Sequence, residues 1–487
     1  MTAVFGDVWF AVLSKLSHYL PLDILQWSQK MPITSINPAT NETLQTFTSL
    51  SKDESLNAVA TAGEAYQSWR KTSFAERKKV LLAFATELRK RSDEFARLIT
   101  LDMGKRISES RREIEYCAEI SDFYANGAET FLADQPMEDV DANAYIRKEP
   151  IGVLLGVMPW NFPFYQVVRF AAPNIMAGNA VMLKHASSVP QCAQAIAELF
   201  DECGLPKGVY TNLFIPSEFV ETVVADSRVQ GVSLTGSEKA GAAVAALAGK
   251  NLKRSVLELG GNDPFIVLED ADIPKTAELA VKGRVVNAGQ SCVASKRFIV
   301  VESVADEFLT AFKEGMSKLK IGDPMDEDTT LAPLSSEEAA VKLLQQVQSS
   351  IDAGATVLLG GDRPDCEGAY FNATILTDVT PDMPTFDQEL FGPVATVYVV
   401  KDEAAAIELA NRSSYGLGGS VYTKDIQRGQ RVAEQIETGM MFVNQPTRSQ
   451  AELPFGGVKN SGYGRELSSL GIQEFINKKL IHLGPKT

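Results

Sequence analysis

Residues 151–160, IGVLLGVMPW, form an almost unbroken apolar run that ends in a proline and a tryptophan. Five similar runs follow it: AVMLK (180–184), YTNLFI (210–215), GVSLTG (231–236), RSVLEL (254–259) and PFIVL (264–268). Stretches with helical character separate several of these runs, at 189–200, 238–247 and 273–287. Continuous apolar strands that alternate with helices are typical of a parallel sheet covered on both faces. The pattern therefore predicts an α/β fold.

A second series of the same kind occupies the following part of the chain. RFIVVE (297–302) and ATVYVV (395–400) have the composition of buried strands, and residues 305–319 have the pattern of a helix between them. The alternation predicts two doubly wound α/β lobes, with the segment around Cys292 near their junction.

Before the first series, residues 52–126 have a helical pattern. Ser51 with Glu54, and Ser73 with Glu76, have the spacing of a capping box, in which the serine and the acidic side chain satisfy free backbone groups at a helix start. Both serines are therefore expected to begin helices.

The composition narrows the class of protein. The chain of 487 residues is 45% hydrophobic and 22% charged, the balance of a globular protein long enough for more than one domain. Its formal net charge of −15 repels phosphate backbones and anionic lipids. Neither nucleic acid nor a membrane is therefore an expected partner.

Cysteine and histidine usage indicates a reducing compartment and no metal site. The five cysteines are odd in number and lack any Cys-x-x-Cys pattern, which argues against a disulfide framework and a zinc site. The three histidines, His18, His185 and His482, do not have the spacing of metal ligands. A cytoplasmic protein is expected.

Residues 1–30 are apolar enough to be compared with a signal peptide. Lys15, His18 and Asp23 interrupt the run, no basic segment precedes it, and no small-residue cleavage site follows. The run is also shorter than the uninterrupted span of about 20 apolar residues that crosses a bilayer. The segment is expected to be an N-terminal extension, either an appended helix or sequence upstream of a natural start at Met31.

Three residues have the chemistry of a carbonyl-processing site. GQSC (289–292) places Cys292 among small residues, but a free thiol has a pKa of about 8.5 and needs activating groups. Glu258 ends an apolar run before two glycines, where partial burial can raise its pKa and make it a general base. Asn161 lies between prolines after the first strand, where its amide can face a developing oxyanion.

Each of these residues also has an ordinary structural interpretation. A lone cysteine is most often inert, a glutamate at a strand end is usually solvated, and an asparagine beside prolines is a common turn former. Taken singly, none of the three residues indicates catalysis. Only their combination does.

Seven motifs together resemble those of the aldehyde dehydrogenase superfamily. In chain order they are PWNFP (159–163), LTGS (234–237), ELGGN (258–262), GQSC (289–292), QELFGP (388–393), YGLGGSVYT (415–423) and PFGGVKNSGYGRE (454–466). Their order and spacing are similar to those of the family, and the likeness runs from about Ile36 to the C-terminus. Within the superfamily the chain most resembles the succinate-semialdehyde dehydrogenase branch.

The resemblance implies an aldehyde oxidation in two stages. Cys292 adds to the aldehyde carbon, and the Asn161 amide and the Cys292 backbone N–H hold the oxygen of the thiohemiacetal. Hydride transfer to a nicotinamide leaves a thioester, which water activated by Glu258 hydrolyses to the acid. Members that pass the acyl group to coenzyme A typically lack this glutamate, so Glu258 favours hydrolysis.

The usual Gly-x-Gly-x-x-Gly fingerprint of a dinucleotide site is missing. The resemblance instead assigns the pyrophosphate to Gly236 and Ser237, which otherwise form a routine helix start after the strand GVSLT. It places Lys184 at the adenosine ribose and Glu389 at the nicotinamide ribose. The remaining cofactor-binding residues that it implies are Trp160, Ser187 and Phe391.

Ser187 distinguishes between the two nicotinamide dinucleotides. Many relatives that prefer NAD+ have a glutamate at this position, which holds the ribose 2′- and 3′-hydroxyls and repels a 2′-phosphate. A serine close to Lys184 removes that repulsion. The expected cofactor is NADP+, with NAD+ accepted less well.

Arg169 puts a charge in an otherwise apolar helical stretch. Such a charge is costly unless it pairs either with a protein carboxylate or with the carboxylate of a substrate. In succinate-semialdehyde dehydrogenases an arginine at this place and a serine in the loop before PFGG bind the distal acid, which makes Ser449 and the adjacent Arg448 further candidates. The aromatic side chains expected to line the substrate tunnel are Trp160, Phe162, Tyr165 and Phe455.

The expected substrate is a short aldehyde with a distal carboxylate, succinic semialdehyde first and glutaric semialdehyde second. A broad-range enzyme for other short aldehydes is the alternative, followed by a coenzyme A-acylating enzyme. A family member kept only as a binding or structural protein agrees less well with the chain, since packing requires none of Cys292, Glu258 and Asn161.

The resemblance also implies domain boundaries. Residues 31–130 and 151–258 are expected to form the cofactor-binding domain, and residues 259–465 the catalytic domain. Residues 131–150 and 466–487 are expected to form a small β extension for assembly into a homodimer or homotetramer, because the exposed edge of a strand needs a partner.

Overall fold

The described part of the chain, residues 30–137 and 144–484 of a computed structural model, alternates strands and helices as the sequence predicts. The expected N-terminal extension lies outside these residues except for Lys30. The α-helices are α1 (Lys52–Trp69), α2 (Phe74–Lys90), α3 (Ser92–Met103), α4 (Ile107–Phe131), α5 (Tyr165–Ala177), α6 (Pro190–Glu202), α7 (Val220–Ala225), α8 (Glu238–Lys250), α9 (Ile273–Val285), α10 (Glu302–Ser317), α11 (Glu337–Asp352), α12 (Glu403–Asn411), α13 (Ile426–Ala433) and α14 (Ser468–Gly471).

The β-strands are β1 (Pro32–Ile36), β2 (Thr43–Thr48), β3 (Gln135–Pro136), β4 (Ala144–Pro150), β5 (Val153–Met158), β6 (Ala180–His185), β7 (Tyr210–Asn212), β8 (Val229–Thr235), β9 (Arg254–Glu258), β10 (Pro264–Val267), β11 (Arg297–Val301), β12 (Thr356–Leu359), β13 (Thr374–Thr377), β14 (Val394–Val400), β15 (Tyr415–Gly416), β16 (Ser420–Tyr422), β17 (Phe442–Val443), β18 (Val458–Lys459), β19 (Gly462–Tyr463) and β20 (Ile476–His482). Short 3-10 helices lie at Ser217–Phe219, Val286–Gly289 and Pro384–Phe386. Each apolar run that the sequence marks as a strand contains one, although YTNLFI is a strand only over Tyr210–Asn212.

Two mainly parallel sheets form the centres of the two lobes. The first has the strand order β19-β9-β8-β5-β6-β7 and the second β12-β13-β14-β11-β10-β16-β17. Each has one antiparallel edge strand, β19 in the first sheet and β12 in the second. The predicted pair of doubly wound α/β lobes is therefore confirmed.

Both faces of each sheet are buried. In β5, Leu154 belongs to one hydrophobic core while Val153 and Leu155 belong to another, because successive strand residues point to opposite faces. In β10, Ile266 and Phe265 are divided between two cores in the same way. This explains why the strands are continuous apolar runs rather than alternating ones.

Both predicted capping boxes are present. The Ser51 hydroxyl accepts from the Glu54 N–H at 3.2 Å, and the Glu54 carboxylate accepts from the Ser51 N–H at 2.8 Å. Ser73 and Glu76 make the same pair of hydrogen bonds at 3.3 and 2.7 Å. These serines begin α1 and α2.

Strand β19 departs from the expected domain boundaries. Its residues lie within 259–465, yet it completes the first sheet by pairing with β9, Gly462 opposite Glu258. A Cβ on Gly462, which has φ +106°, would lie 2.1 Å from the Leu257 carbonyl oxygen, so only glycine allows this approach. The pairing brings the GYGRE segment beside Glu258.

A separate antiparallel sheet has the order β20-β4-β3. It unites the two segments expected to form the β extension, although residues 138–143 and 485–487 of those segments lie outside the described residues. In β20 only Ile476 is buried, and Leu480 is 63% exposed. Within residues 30–137 and 144–484, none of the helices has the length and apolar character needed to cross a membrane.

Helix α8 ends in a left-handed residue that is not glycine. The Lys253 N–H donates to the Ala248 carbonyl at 2.9 Å and the Leu252 N–H to the Gly249 carbonyl at 3.1 Å, the hydrogen bonds of a Schellman motif. Leu252, which turns the chain, has φ +55° and is 95% exposed. A left-handed backbone costs a non-glycine residue about 1–2 kcal/mol.

Leu252→Gly is expected to stabilise the fold by about 1 kcal/mol, because glycine adopts this conformation without the Cβ penalty. The gain is measured as a higher Tm in thermal unfolding followed by circular dichroism. Leu453→Gly is the control, since Leu453 is also exposed and its φ is not left-handed. A rise in Tm of the same size in the control would contradict the explanation.

Candidate active site

A cleft of about 600 Å³ lies where loops of the two lobes meet. The lining includes most of the expected nucleophile, oxyanion and cofactor residues: Trp160, Asn161, Gly236, Ser237, Cys292, Glu389 and Phe391. Lys184 and Ser187 are outside this lining. Lys184 is partly buried at the end of β6, and Ser187 is exposed in the turn that follows.

The segment 286–295, called here the nucleophile turn, contains two left-handed residues that are not glycine. Asn287 and Ala288 have φ values of 52° and 53°. The sequence pattern predicted a helix through Asn287, but α9 ends at Val285. The prediction was wrong for these last residues because contacts with the rest of the site, rather than the apolar periodicity, fix the backbone there.

Hydrogen bonds tie the nucleophile turn to the loop that carries Asn161. The Asn287 side-chain amide donates to the Asn161 carbonyl at 2.8 Å and to the Gln290 carbonyl at 3.2 Å. The Asn161 side-chain amide donates to the same Gln290 carbonyl at 3.1 Å. Asn161 therefore contacts Gln290, which is only two positions before Cys292, although Asn161 and Cys292 are far apart in the sequence.

Two carboxylates of α4 hold these loops from behind. Glu109 accepts from the Asn287 backbone N–H at 3.0 Å. Glu113 accepts from the N–H groups of Phe164 and Tyr165 at 2.9 and 3.0 Å, and it forms a buried ion pair with Lys105. Sequence reasoning missed both carboxylates. The available signal was that Glu113 shares a helix face with apolar positions.

His185 braces the Asn161 loop. Its Nε2–H donates to the Pro163 carbonyl at 2.9 Å, and its Nδ1 accepts from the Ala186 N–H at 2.9 Å. Burial lowers the pKa of His185 to about 4, so the ring is neutral. This histidine is therefore a structural support and not a proton acceptor for the thiol.

Glu258 ends β9 and is buried. Burial and the neighbouring Glu466 raise the pKa of its carboxyl well above the usual value, while Arg169 and Arg465 act in the opposite direction. No residue of the described chain donates a hydrogen bond to its two oxygens. A carboxyl group of this kind is suited to exchange a proton with water.

Cys292 is partly exposed and lines the cleft. Desolvation by the surrounding protein raises the pKa of the Cys292 thiol to about 12, whereas the charges of Lys296 and Arg169 lower it. The turn packs tightly against the ELGGN motif, because a Cβ on Gly261 would lie 2.5 Å from the Cys292 carbonyl oxygen. The glycine in this motif is thus required for the position of the nucleophile turn.

Glu389 lines the cleft beside the ELGGN motif. Its carboxylate accepts from the Gly261 N–H at 3.0 Å and lies 3.2 Å from the Lys296 Nζ. Phe391 contacts Trp160 edge-to-face at 5.7 Å between ring centroids. Ser237, which also lines the cleft, caps α8 by accepting from the Ala240 N–H at 3.3 Å.

Arg169 is buried and pairs with Glu466. Its guanidinium also donates to the Tyr165 hydroxyl and to the Thr235 hydroxyl, each at 3.2 Å, and lies 4.6 Å from the centroid of Phe455. Of the two partners that the sequence left open, the structure contains the protein carboxylate. The charge of Arg169 is therefore balanced without a substrate.

The other expected substrate residues divide into two groups. Tyr165 accepts from Arg169. Burial raises the pKa of the Tyr165 hydroxyl, and the charge of Arg169 and the nearby Ser449 side chain oppose that rise. Phe162 contacts Tyr165 edge-to-face at 6.0 Å. Arg448, by contrast, is exposed.

Several residues of the cleft were not singled out from the sequence. They are Thr235, Glu238, Lys342, Gln346 and Tyr415. Glu238 and Tyr415 adjoin or lie in the quoted motifs, which was the available signal. Lys342 and Gln346 come from α11, where no motif marks them.

Two doubly wound lobes that meet at a cleft with a cysteine are the architecture that the sequence resemblance implied. The family model described as the aldehyde dehydrogenase family matches residues 26–481 of the chain. The protein belongs to this family.

Curated relatives and a solved structure agree with that assignment. A protein of Deinococcus radiodurans named succinate-semialdehyde dehydrogenase [NADP(+)] is 50% identical over 454 residues, which cover 93% of this chain and 95% of that protein. One of Mycobacterium avium with the same name is 47% identical over 458 residues, covering 93% and 97%. The crystal structure of succinic semialdehyde dehydrogenase from Streptococcus pyogenes, in complex with NADP+, superposes with a TM-score of 0.92 at 45% identity and covers 93% of this chain and 100% of that one.

Proposed function

We propose that this aldehyde dehydrogenase oxidises succinic semialdehyde to succinate with NADP+ as the preferred cofactor. The observation that carries the proposal is the hydrogen-bonded contact between the Asn161 loop and the nucleophile turn, with Cys292 facing the cleft. The names of relatives that are 45–50% identical over nearly the whole chain support the choice of substrate and cofactor.

The proposed first stage is addition of the Cys292 thiolate to the aldehyde carbon. The Asn161 side-chain amide has two N–H groups, of which one donates to the Gln290 carbonyl, so the second can hold the oxyanion of the thiohemiacetal. NADP+, when bound, supplies the acceptor for the hydride that leaves the thiohemiacetal carbon. The product of this stage is a thioester on Cys292.

The proposed second stage is hydrolysis of that thioester. Glu258 takes a proton from water while the water oxygen bonds to the acyl carbon, the C–S bond breaks, and the Cys292 sulfur leaves with the electron pair. The raised pKa of Glu258 suits a group that must pick up this proton and release it to solvent afterwards. Succinate is the product.

Glu258→Gln is expected to stop the reaction after the first stage, because a carboxamide of similar shape cannot accept the proton. Stopped-flow absorbance should show a burst of one NADPH per active site, followed by turnover at least about 100-fold slower than wild type, the usual contribution of a general base. Intact mass spectrometry should find the acyl group on Cys292.

Cys292→Ser is the control for this experiment, and it should abolish the burst. Turnover of Glu258→Gln at the wild-type rate would show that another group activates the water. A burst in the absence of Cys292 would show that the nucleophile is elsewhere.

The residues of the cleft fit a dinucleotide. Gly236 and Ser237 open a helix of 13 residues, whose first N–H groups and dipole favour a pyrophosphate. Glu389 and Trp160 line the same cleft, at the proposed nicotinamide end. Lys184 and Ser187 would hold the adenosine ribose and its 2′-phosphate.

Ser187→Glu is expected to lower kcat/KM for NADP+ far more than for NAD+, because the new carboxylate repels the 2′-phosphate. Steady-state kinetics with both cofactors measures the ratio. Ser187→Ala is the matched control, which removes the hydroxyl without adding charge and should change the ratio less. A wild-type preference for NAD+, or an unchanged ratio in Ser187→Glu, would contradict the proposal.

For the substrate carboxylate we propose Arg169, Tyr165 and Ser449, with the exposed Arg448 beside Ser449 in the chain. Three of the five N–H groups of Arg169 serve Glu466, Tyr165 and Thr235, so the guanidinium keeps donors for a further acceptor. Phe162 and Phe455 would pack against the carbon chain of the substrate.

Ser449→Ala and Arg448→Met are expected to lower kcat/KM for succinic semialdehyde by about tenfold or more, the contribution of a hydrogen bond to a charged group. The value for butanal, which has no carboxylate, should stay nearly unchanged. Arg169→Lys tests the third member while it keeps a positive charge opposite Glu466. Equal losses for both aldehydes in all three variants would favour the broad-range alternative.

We also propose residues 31–130 and 151–258 as the cofactor-binding domain, residues 259–465 apart from β19 as the catalytic domain, and a homodimer or homotetramer. Support for assembly comes from β20, an edge strand with mostly exposed side chains. Sedimentation of the purified protein distinguishes the two oligomers.

A further inference from the structure

Lys296 is a buried cation that the proposed reaction does not use. Its side chain is 1% exposed, and its Nζ donates to the carbonyl oxygens of Ser291, Cys292 and Ala294 at 3.0, 2.8 and 3.2 Å. All three carbonyls belong to the nucleophile turn. A single ammonium group therefore holds the backbone on both sides of the Cys292 side chain.

The same ammonium group has a fourth contact outside the turn. Glu389 lies 3.2 Å from the Lys296 Nζ, and its carboxylate also accepts from the Gly261 N–H. Glu389 is the carboxylate proposed for the nicotinamide ribose. Lys296 thus joins the turn that carries the nucleophile to the wall that would hold the cofactor.

Charges of both signs face Cys292 from the surrounding elements. Lys296 and Arg169 are positive, whereas Glu389 and Asp263 are negative. Lys296 is the strongest of the groups that lower the pKa of the thiol, against the rise caused by burial. Its charge and its backbone contacts therefore act on the same residue.

The next residue in the chain, Arg297, provides a comparison within the protein. It is also buried, and its guanidinium donates to the carbonyls of Asn262, Leu409 and Ala410 at 2.8–2.9 Å. None of these carbonyls belongs to the nucleophile turn. Arg297 is therefore a buried cation that, like Lys296, donates to three backbone carbonyls but does not hold the turn.

We propose that Lys296 is a positioning residue for Cys292. The Lys296 ammonium group fixes the nucleophile turn and supplies positive charge that favours the Cys292 thiolate. The inference rests on the proposed role of Cys292 as the nucleophile. Because Lys296 pairs with Glu389, the position of Cys292 depends on the wall of the proposed cofactor site.

The test is the rate at which iodoacetamide alkylates Cys292 in the folded protein between about pH 7 and 9, where the thiolate fraction sets the rate, with the modified peptide measured by mass spectrometry. Lys296→Met should slow alkylation about tenfold at each pH, which corresponds to one pKa unit. Lys296→Arg, which keeps the charge, should restore most of the rate. Arg297→Met should leave the rate unchanged even where it lowers Tm.

Glu389→Gln supplies a test of sign. Removal of this negative charge should speed alkylation, opposite to Lys296→Met, whereas simple loosening of the turn would change the rate of both variants in the same direction. An alkylation rate in Lys296→Met no lower than in Arg297→Met overturns the proposal. If Lys296→Met does not fold, unchanged or slower alkylation in Glu389→Gln overturns it.

Alkylation requires neither aldehyde nor cofactor, so the outcome is separate from that of the proposed function. If the wild type fails to oxidise succinic semialdehyde while Lys296→Met and Glu389→Gln change the alkylation rate in opposite directions, the proposed substrate is wrong and the role of Lys296 stands. If the wild type oxidises it and both variants are alkylated at the wild-type rate, the reverse holds.

Discussion

The site depends on a contact between two loops that belong to different sheets, lie far apart in the chain and are held together by hydrogen bonds. The Asn161 loop follows β5, and the nucleophile turn precedes β11. Asn287 and Asn161 each donate a side-chain N–H across this contact. Each hydrogen bond stabilises by only about 1 kcal/mol net, but a buried carbonyl without a donor costs about 1–3 kcal/mol. Partial separation of the loops is therefore unfavourable, and the contact forms as a unit.

The turn adopts a backbone that its sequence does not favour. A left-handed backbone costs about 1–2 kcal/mol at Ala288 and less at Asn287, because asparagine adopts this region more readily. Contacts from outside the turn offset this cost, since Glu109 accepts from the Asn287 N–H and Arg284 donates to the Gly289 carbonyl at 2.7 Å. Strain that is held in place by surrounding groups is common at functional sites, where it fixes the orientation of a reacting side chain.

The sequence predicted the features whose signals are local. Apolar runs identify the strands because each is buried on both faces, and the serine–glutamate pairs identify two helix starts because both partners lie within one turn. The end of α9 could not be found in this way. Its periodicity continues to Asn287, and the helix stops earlier because of contacts such as that with the Glu109 carboxylate, 178 residues away in the chain.

The contacts of the charged residues Arg169 and Lys296 could not be predicted from the sequence for the same reason. Burial of Arg169 in an apolar helix shows that it requires a partner, but nothing local says whether that partner is Glu466 or a ligand. Lys296 follows GQSC by only a few residues, yet its contacts with three carbonyls depend on how the turn folds back. Sequence motifs identified the groups proposed to react, whereas the groups that hold them in place became visible only in the three-dimensional structure.

Arg169 connects the two groups proposed to react. It lowers the pKa of Cys292 and of Glu258, both of which burial raises. A positive charge favours the anionic form of each group, so Arg169 favours both the thiolate that the first proposed stage requires and the carboxylate that the second requires. Glu466, which pairs with Arg169, acts in the opposite direction on Glu258. The ion pair of Arg169 and Glu466 therefore sets how readily the general base holds a proton.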